Sequence, residues 1–386
     1  MHSDGSILPT SETQPGLSVL LVGNYEPDRQ YSMLQYAAWL HGELASCGIR
    51  VALVRPRKVV GWLAGSIPFL NKWLGYIDKL IVFPLELLLR APRYDIVHIC
   101  DHSNAFYCNY VARRKVAITC HDLFAIRLAI GELEGRETPM SGRILQSWIL
   151  SSLKKIDFIT CVSDTTADDV RRLIGGERVV VTIANALAAP YRRMPASETA
   201  HELADAGFGT DWNFFLHVGS NSFYKNRRGV VRLFDALARK PQFQSHRLIL
   251  AGHAPTPEIN DEIANAAAKD RIVVAANPSM PTLRALYNRA DAMLFISLLE
   301  GFGWPVIEAQ ACGCPVVTSD VEPMASIAGP AGLLVSPTAP TDAADRIESN
   351  WAWLRSQSDA SVKNAERFSS DKVIPLYTAF YRRIVA

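Results

Sequence analysis

Short apolar, β-branched runs recur along the chain, separated by stretches long enough for a helix. In the first half they are LSVLLVG, RVALV, DIVHIC, KVAITC, DFITCV and RVVVTIA, and in the second NFFLHVG, RLILAG, RIVVAA, DAMLFIS and PVVTS. Their hydrophobicity is continuous rather than alternating, as in strands buried on both faces, and this predicts parallel sheets flanked by helices. At 386 residues the chain is long enough for two cores. The expected class is therefore α/β, with two doubly wound, Rossmann-like domains facing a central cleft.

Residues 1–16 (MHSDGSILPTSETQPG) are polar, lack a hydrophobic signal core and read as a flexible leader. The first domain is expected over 17–195 and the second over 212–370. Between them 196–211 reads as a linker, because proline and small polar residues replace strand-like runs. In 371–386 (DKVIPLYTAFYRRIVA), apolar groups at 373/374, 377, 380/381 and 384 predict a helix with one buried face and Pro375 in its first turn.

In open parallel sheets ligands bind beyond the carboxyl ends of the strands. The residues that follow the strands here are Asn24 and Tyr25, Asp101 and His102, His121 and Asp122, Ser163 and Asp164. In the second half they are Gly219 to Lys225, Gly252 and His253, Asn277, and Glu300 onward. Polar groups thus collect where a cleft is expected.

Lysine plus arginine (40) nearly balances aspartate plus glutamate (38), so net charge gives no reason to expect nucleic acid or a strongly acidic partner. The seven cysteines have no paired metal spacing and most adjoin apolar runs, as buried thiols do; a reducing cytoplasm is the simplest setting. Residues 58–90 (KVVGWLAGSIPFLNKWLGYIDKLIVFPLELLLR) contain no uncharged run long enough to span a bilayer. Two readings stand open for them. One is a pair of core helices with a loop at Pro68; the other is peripheral contact with a membrane, because Trp62, Phe69, Trp73 and Tyr76 are interleaved with Lys58, Lys72 and Lys79.

The stretch EGFGWPVIE (300–308) carries the most chemistry. Gly301 and Gly303 permit a sharp reversal after a strand, and Pro305 suits the start of a helix. The amides of Phe302, Gly303 and Trp304 then lie at a helix N-terminus, which favours an anion or a sugar hydroxyl. Glu308, one turn in, can accept hydrogen bonds from a ribose diol, or simply face solvent and favour the dipole. In GSNSFYKNRRG (219–229), Lys225, Arg227 and Arg228 crowd the start of a second helix. Cations there oppose the dipole, so they either receive a bound anion or form a solvated basic face.

Together, EGFGWPVIEAQACGCPVV and HVGSNSFYKNRRG closely resemble the nucleotide-sugar half of glycosyltransferase family 4, retaining enzymes of the GT-B fold. LYNRADAMLFIS and the closing FSSDKVIPLYTAFYRR fit as well, the latter implying a C-terminal helix that returns to the first domain. The resemblance implies that Glu308 holds the ribose, that Glu300 with the Phe302 and Gly303 amides holds the donor sugar, and that Lys225 binds the diphosphate. Gly219, Asn277 and Trp304 fall on the donor side. TCHDL (119–123) implies that His121 contacts the donor sugar near its anomeric carbon, while Tyr25, Asp101 and His102 fall on the acceptor side.

Two departures from the family pattern stand out. SNSFY precedes Lys225 where many members carry an arginine, leaving Arg227 or Arg228 to supply that charge. GNYEPDRQYSM (23–33) replaces paired glycines after the first strand, with Ser32 able to cap the next helix.

The expected activity is transfer of a sugar, with retention, from a UDP-, GDP- or ADP-sugar to a hydroxyl of a saccharide or lipid-linked acceptor. With no D-x-D pair in the chain, neither a metal nor a separate cofactor is expected. The expected location is cytoplasmic, with peripheral contact at the inner face of the plasma membrane if residues 58–90 touch lipid. Two rivals share the motifs: a nucleotide-sugar epimerase, which needs no acceptor, and a non-catalytic nucleotide-sugar-binding subunit.

Overall fold

The computed structural model describes residues 16–64, 68–133, 138–188 and 190–386. Apart from Gly16, the leader expected over 1–16 lies outside the described residues. The chain divides into two compact units, one of residues 1–188 with 370–386 and one of residues 189–369.

In the first unit, strands β1 (Ser18–Val22), β2 (Arg50–Val54), β3 (Ile96–Ile99), β4 (Val116–Cys120), β5 (Phe158–Cys161) and β6 (Val179–Thr182) form a parallel sheet in the order β2-β1-β3-β4-β5-β6. Every residue of β1, β3 and β4 is buried, as the unbroken apolar runs predict. Strand order reverses between β1 and β3, which opens a crevice beyond their carboxyl ends.

The C-terminal helix, Ser370–Val385, belongs to this first unit. It buries Val373, Ile374, Tyr377, Phe380 and Tyr381, the face that the sequence spacing predicts. Its phenols enter a buried polar network: the Tyr377 hydroxyl meets that of Tyr36 at 2.6 Å, and the Tyr381 hydroxyl meets His98 Nδ1 at 2.5 Å. Thr119 Oγ1 joins the two, 2.7 Å from the Tyr36 hydroxyl and 2.8 Å from His98 Nε2. Burial lowers His98 to about 3, so the ring is neutral at physiological pH.

Three local expectations are corrected. The C-terminal helix starts at Ser370, one residue before the expected 371, with Asp371 favouring the dipole, so Pro375 falls in the second turn. The helix Tyr31–Ser46 starts directly after Gln30, which leaves Ser32 inside the first turn with no capping role. Of the two core helices expected around a loop at Pro68, the second is a helical run of Pro68–Ile77, a π-helical turn Asp78–Val82 and Phe83–Arg90, whereas the first is only the 3-10 turn Val60–Ala64, and residues 65–67 lie outside the described residues. Phe83 and Leu87 reach the core, but Trp73, Ile77, Ile81, Leu85 and Leu89 are exposed, because the run carries two apolar faces and packs only one. Among the described residues no helix is long and apolar enough to cross a membrane.

In the second unit, β7 (Phe214–Gly219), β8 (Arg247–Gly252), β9 (Ile272–Ala276), β10 (Ala292–Phe295), β11 (Val316–Ser319) and β12 (Gly332–Val335) form a parallel sheet ordered β12-β11-β10-β7-β8-β9. The edge strand β12 was not among the expected runs; GLLV is short and opens on glycine. Here the order reverses between β7 and β10. Residues 196–211, expected as a linker, contain the helix Ala196–Asp205, which packs against Met280–Arg289 of the same unit. Both units are thus doubly wound α/β domains.

Candidate functional site

At the switch between β7 and β10, a short 3-10 turn, Phe223–Lys225, leads into Asn226 in the left-handed region (φ 53°) and then the helix Arg227–Leu237. Asparagine tolerates that conformation better than most residues. Its side-chain Nδ2 donates to the carbonyls of Ile296 (3.0 Å) and Pro337 (2.9 Å), and the Leu298 amide donates to the Tyr224 carbonyl at 2.7 Å. These bonds stitch the loop after β7 to the segment after β10.

The stitching brings Lys225 onto Glu300. Lys225 Nζ lies 2.7 Å from Oε1 and 3.0 Å from Oε2, and 5.3 Å from the centre of the Phe295 ring. Both side chains are largely buried, with 17% of Lys225 and 7% of Glu300 exposed. A charge-assisted pair in such a place holds its geometry well.

The helix Trp304–Ala311 opens at Gly303, whose φ of 105° favours glycine. Phe302 is buried against Phe368, and Trp304 is half-buried beside it. One turn in, Glu308 accepts a hydrogen bond from the Tyr287 hydroxyl at 2.8 Å and another from Tyr191. Burial raises its carboxyl to about 7 against the opposing pull of both phenols and Lys225. Glu308 therefore faces the protein rather than open solvent.

The two candidate arginines differ. Arg228 is exposed and bound at 2.9 Å to Glu262, which also holds Arg232. Arg227 is 2% exposed; its Nη1 donates to Asn221 Oδ1 and to the His253 carbonyl, while Nε and Nη2 have no hydrogen-bond partner among the described residues. Burial without a carboxylate lowers its pKa, so a bound anion would be favoured there. Gly219 and Gly252 end neighbouring strands in close approach: a Cβ on Gly252 (φ 123°) would lie 2.2 Å from the Gly219 carbonyl oxygen. Asn277 is exposed at the end of β9, the sheet edge, two strands away from β7.

In the first unit, Asn24 and Asp101 meet across the switch between β1 and β3, Asn24 Nδ2 donating to Asp101 Oδ2 at 2.5 Å. The Ser103 amide and hydroxyl also donate to Asp101, and His102 Nδ1 lies 3.3 Å from its Oδ1. Burial would raise the Asp101 carboxyl, but His102, His121 and Ser103 together hold it below the usual carboxylate range. His121 is buried edge-on to Tyr36, with Nε2 donating to the Cys100 carbonyl at 3.0 Å. Burial lowers its pKa, against the pull of Asp101, and keeps the ring neutral. Tyr25 is otherwise engaged: its buried ring lies under Lys79 and its hydroxyl bonds Asp78.

Sequence reading missed three supporting residues and the role of a fourth. Tyr191 and Tyr287 orient Glu308, Asn226 fixes the Lys225 loop, and Asn24, expected only as a residue beyond the first strand, holds Asp101. The buried phenol of Tyr287, on the apolar face of a helix, was the one available signal, because such a hydroxyl needs a partner. Among the described residues no group of three or more His, Cys, Asp or Glu could hold a metal ion, and six of the seven cysteines are buried and free.

A family model described as "Glycosyl transferases group 1" matches residues 200–366, and one described as "Glycosyltransferase Family 4" matches residues 35–191. The chain is 27% identical over 203 residues to O-antigen chain mannosyltransferase B of Escherichia coli, covering 50% of this chain and 51% of that protein. It is 25% identical over 263 residues to the GDP-mannose:cellobiosyl-diphosphopolyprenol alpha-mannosyltransferase of Xanthomonas oryzae pv. oryzae, covering 66% and 64%. The match thus spans about half of the first relative's length and just under two thirds of the second's. Among solved structures, Anabaena HepE in complex with UDP and glucose superposes with a TM-score of 0.70 at 16% identity, covering 95% of this chain and all of that one, a likeness of fold. The two family matches between them take in both units and most of the chain, which belongs to the group 1, family 4 glycosyltransferases with the GT-B fold.

Proposed function

We propose that this protein transfers a hexose from a nucleoside-diphosphate sugar to a hydroxyl of a saccharide or lipid-linked acceptor, with retention and without a metal or separate cofactor. The observation that carries the proposal is the Lys225–Glu300 pair at the β7/β10 switch, one end of a site whose other end is Glu308. The ionised Glu308 accepts the ribose diol. Lys225 meets the charge that grows on the departing diphosphate, where a preorganised cation is worth most. Arg227, buried and without a carboxylate, supplies the second positive charge in place of the arginine that the family often carries before the lysine.

Glu300 receives donor-sugar hydroxyls as Lys225 turns toward phosphate. With Glu300 given to the sugar hydroxyls rather than to the anomeric carbon, front-face substitution is the favoured route to retention. In the first unit, neutral His121 serves the reacting sugar. The Asp101 cluster, with His102, offers hydrogen-bond acceptors to an acceptor hydroxyl. Both relatives are named as mannosyltransferases, one of them acting on a diphosphopolyprenol-linked saccharide, so GDP-mannose and a lipid-linked saccharide are the first pair to test. The free, mostly buried cysteines favour a reducing, cytoplasmic setting for this reaction.

The test is incubation with radiolabelled GDP-mannose, UDP-glucose or ADP-glucose and an extract of lipid-linked saccharides, with the product's anomeric configuration read by NMR. Label entering the acceptor with the donor's configuration supports the reading. Inversion refutes the retaining assignment, and an epimerised donor without transfer favours the isomerase.

A further inference from the structure

The helical run in the crossover between β2 and β3 plays no part in the chemistry above. Its inner face is committed to the first unit, where Phe83 packs edge-on to Tyr107 at 5.0 Å and Leu87 is fully buried. On its outer face Trp73, Ile77, Ile81, Leu85 and Leu89 recur every fourth residue, all exposed, Leu89 by 74%. Spacing of that kind makes one continuous stripe along a helix. Trp62, 76% exposed, belongs to the preceding turn Val60–Ala64. That turn is clipped to the run by buried Asp78, which accepts the amides of Val60 (2.8 Å) and Gly61 (3.0 Å). The stripe is far more apolar than scattered surface residues account for.

A cleft of about 390 Å³ adjoins this element, lined by Glu26, Arg55, Arg57 and Lys58 among others. Glu26 is taken up by Arg55 at 2.7 Å, while Arg57 and Lys58 pair with no carboxylate among the described residues. One wall of the cleft is tied to the helical run as well: Lys79 binds Asp28 at 3.0 Å and lies over the rings of Tyr25 and Tyr76. Residues 55–93 hold seven of the chain's 40 cations (Arg55, Arg57, Lys58, Lys72, Lys79, Arg90, Arg93) and two of its 38 acids (Asp78, Glu86). The rest of the chain is net negative. Both acids are spent internally, Asp78 on backbone amides and Glu86 on Arg90 at 2.9 Å.

We propose that this face docks on an anionic lipid bilayer. The stripe enters the boundary between headgroups and acyl chains, and Arg57 and Lys58 meet lipid phosphates. Charge decides the occupant: a second copy of the chain would set one basic segment against another, whereas an anionic surface complements it. The proposal stands independently of the transfer reaction, since it uses none of the donor-site residues.

The test is flotation of the full chain with phosphatidylcholine vesicles that contain or lack phosphatidylglycerol. Wild type is expected to float with the anionic vesicles only, less as salt rises, and binding is expected to fall by about tenfold or more in Ile81→Glu/Leu85→Glu and in Arg57→Glu/Lys58→Glu. The milder Trp62→Ala/Trp73→Ala guards against misfolding, and an unchanged nucleotide-sugar thermal shift reports that the donor site is intact. Absence of wild-type flotation, flotation equal in all variants, or a dimer in sedimentation velocity that the stripe substitutions abolish would each overturn the proposal.

Discussion

Lys225 reaches both carboxylate oxygens of Glu300, at 2.7 and 3.0 Å, across the point where strand order reverses in the second unit. The pair is largely buried, so removing one partner leaves an uncompensated charge. Lys225→Ala is expected to lower stability by about 3 kcal/mol, and Lys225→Ala/Glu300→Ala to recover more than half of that loss. Neither variant should transfer sugar. Urea unfolding beside a transfer assay separates the two effects, and a recovered fold with recovered transfer would show that the pair is only structural.

The two arginines should behave oppositely. Arg228 spends its charge on Glu262 at the surface, so Arg228→Ala is expected to change nucleotide affinity less than about twofold. Arg227 is buried with two nitrogens unpartnered among the described residues. Arg227→Met is expected to weaken nucleoside-diphosphate binding by about tenfold or more, corresponding to a charge-assisted hydrogen bond of roughly 1.5–3 kcal/mol, while leaving the free protein as stable as before. Calorimetric titration of each variant with GDP and UDP gives the comparison.

Glu308 makes donor binding pH-dependent. Its carboxyl is raised to about 7, chiefly by burial, and only the ionised form offers all its lone pairs to a ribose diol. Affinity for the donor should therefore rise between pH 6 and pH 8, and Glu308→Gln should bind weakly with a flat profile. For the free protein the sign is reversed. The folded state retains the proton above the unfolded carboxyl's pKa, so this group costs stability progressively as pH climbs toward 7.

How much of this was readable from sequence depended on the kind of signal. Continuous apolar runs identified eleven of the twelve strands, the partly exposed β2, β6 and β9 among them. Only β12, four residues at the sheet edge, lacked that mark. Glu300, Glu308 and Lys225 were legible because glycines and a helix start frame them. Their anchors were not: Tyr191 meets Glu308 from more than a hundred positions away, and Asn24 meets Asp101 across 77. Nor could charge alone tell buried Arg227 from solvated Arg228, since tertiary packing separates them.

The C-terminal helix gives the first unit an acid sensitivity. His98, neutral between Tyr381 and Thr119, has its pKa lowered to about 3, so the unfolded chain binds the extra proton first. Stability from this group is full above about 6.5 and is lost as pH falls toward 3, a loss of a few kcal/mol. Replacement His98→Gln is expected to flatten that part of the stability profile, measured by urea unfolding between pH 4 and pH 7.

On the reading proposed above, the second unit binds a nucleoside-diphosphate sugar through Lys225 and Glu308. Isothermal titration of the purified protein with GDP-mannose, UDP-glucose and ADP-glucose, beside Lys225→Ala and Glu308→Ala, tests it most directly. One nucleotide family is expected to bind the wild type, and both variants, still folded, are expected to lose at least about tenfold in affinity. Binding of equal strength in all three proteins, or of no nucleotide sugar to the wild type, would contradict that reading.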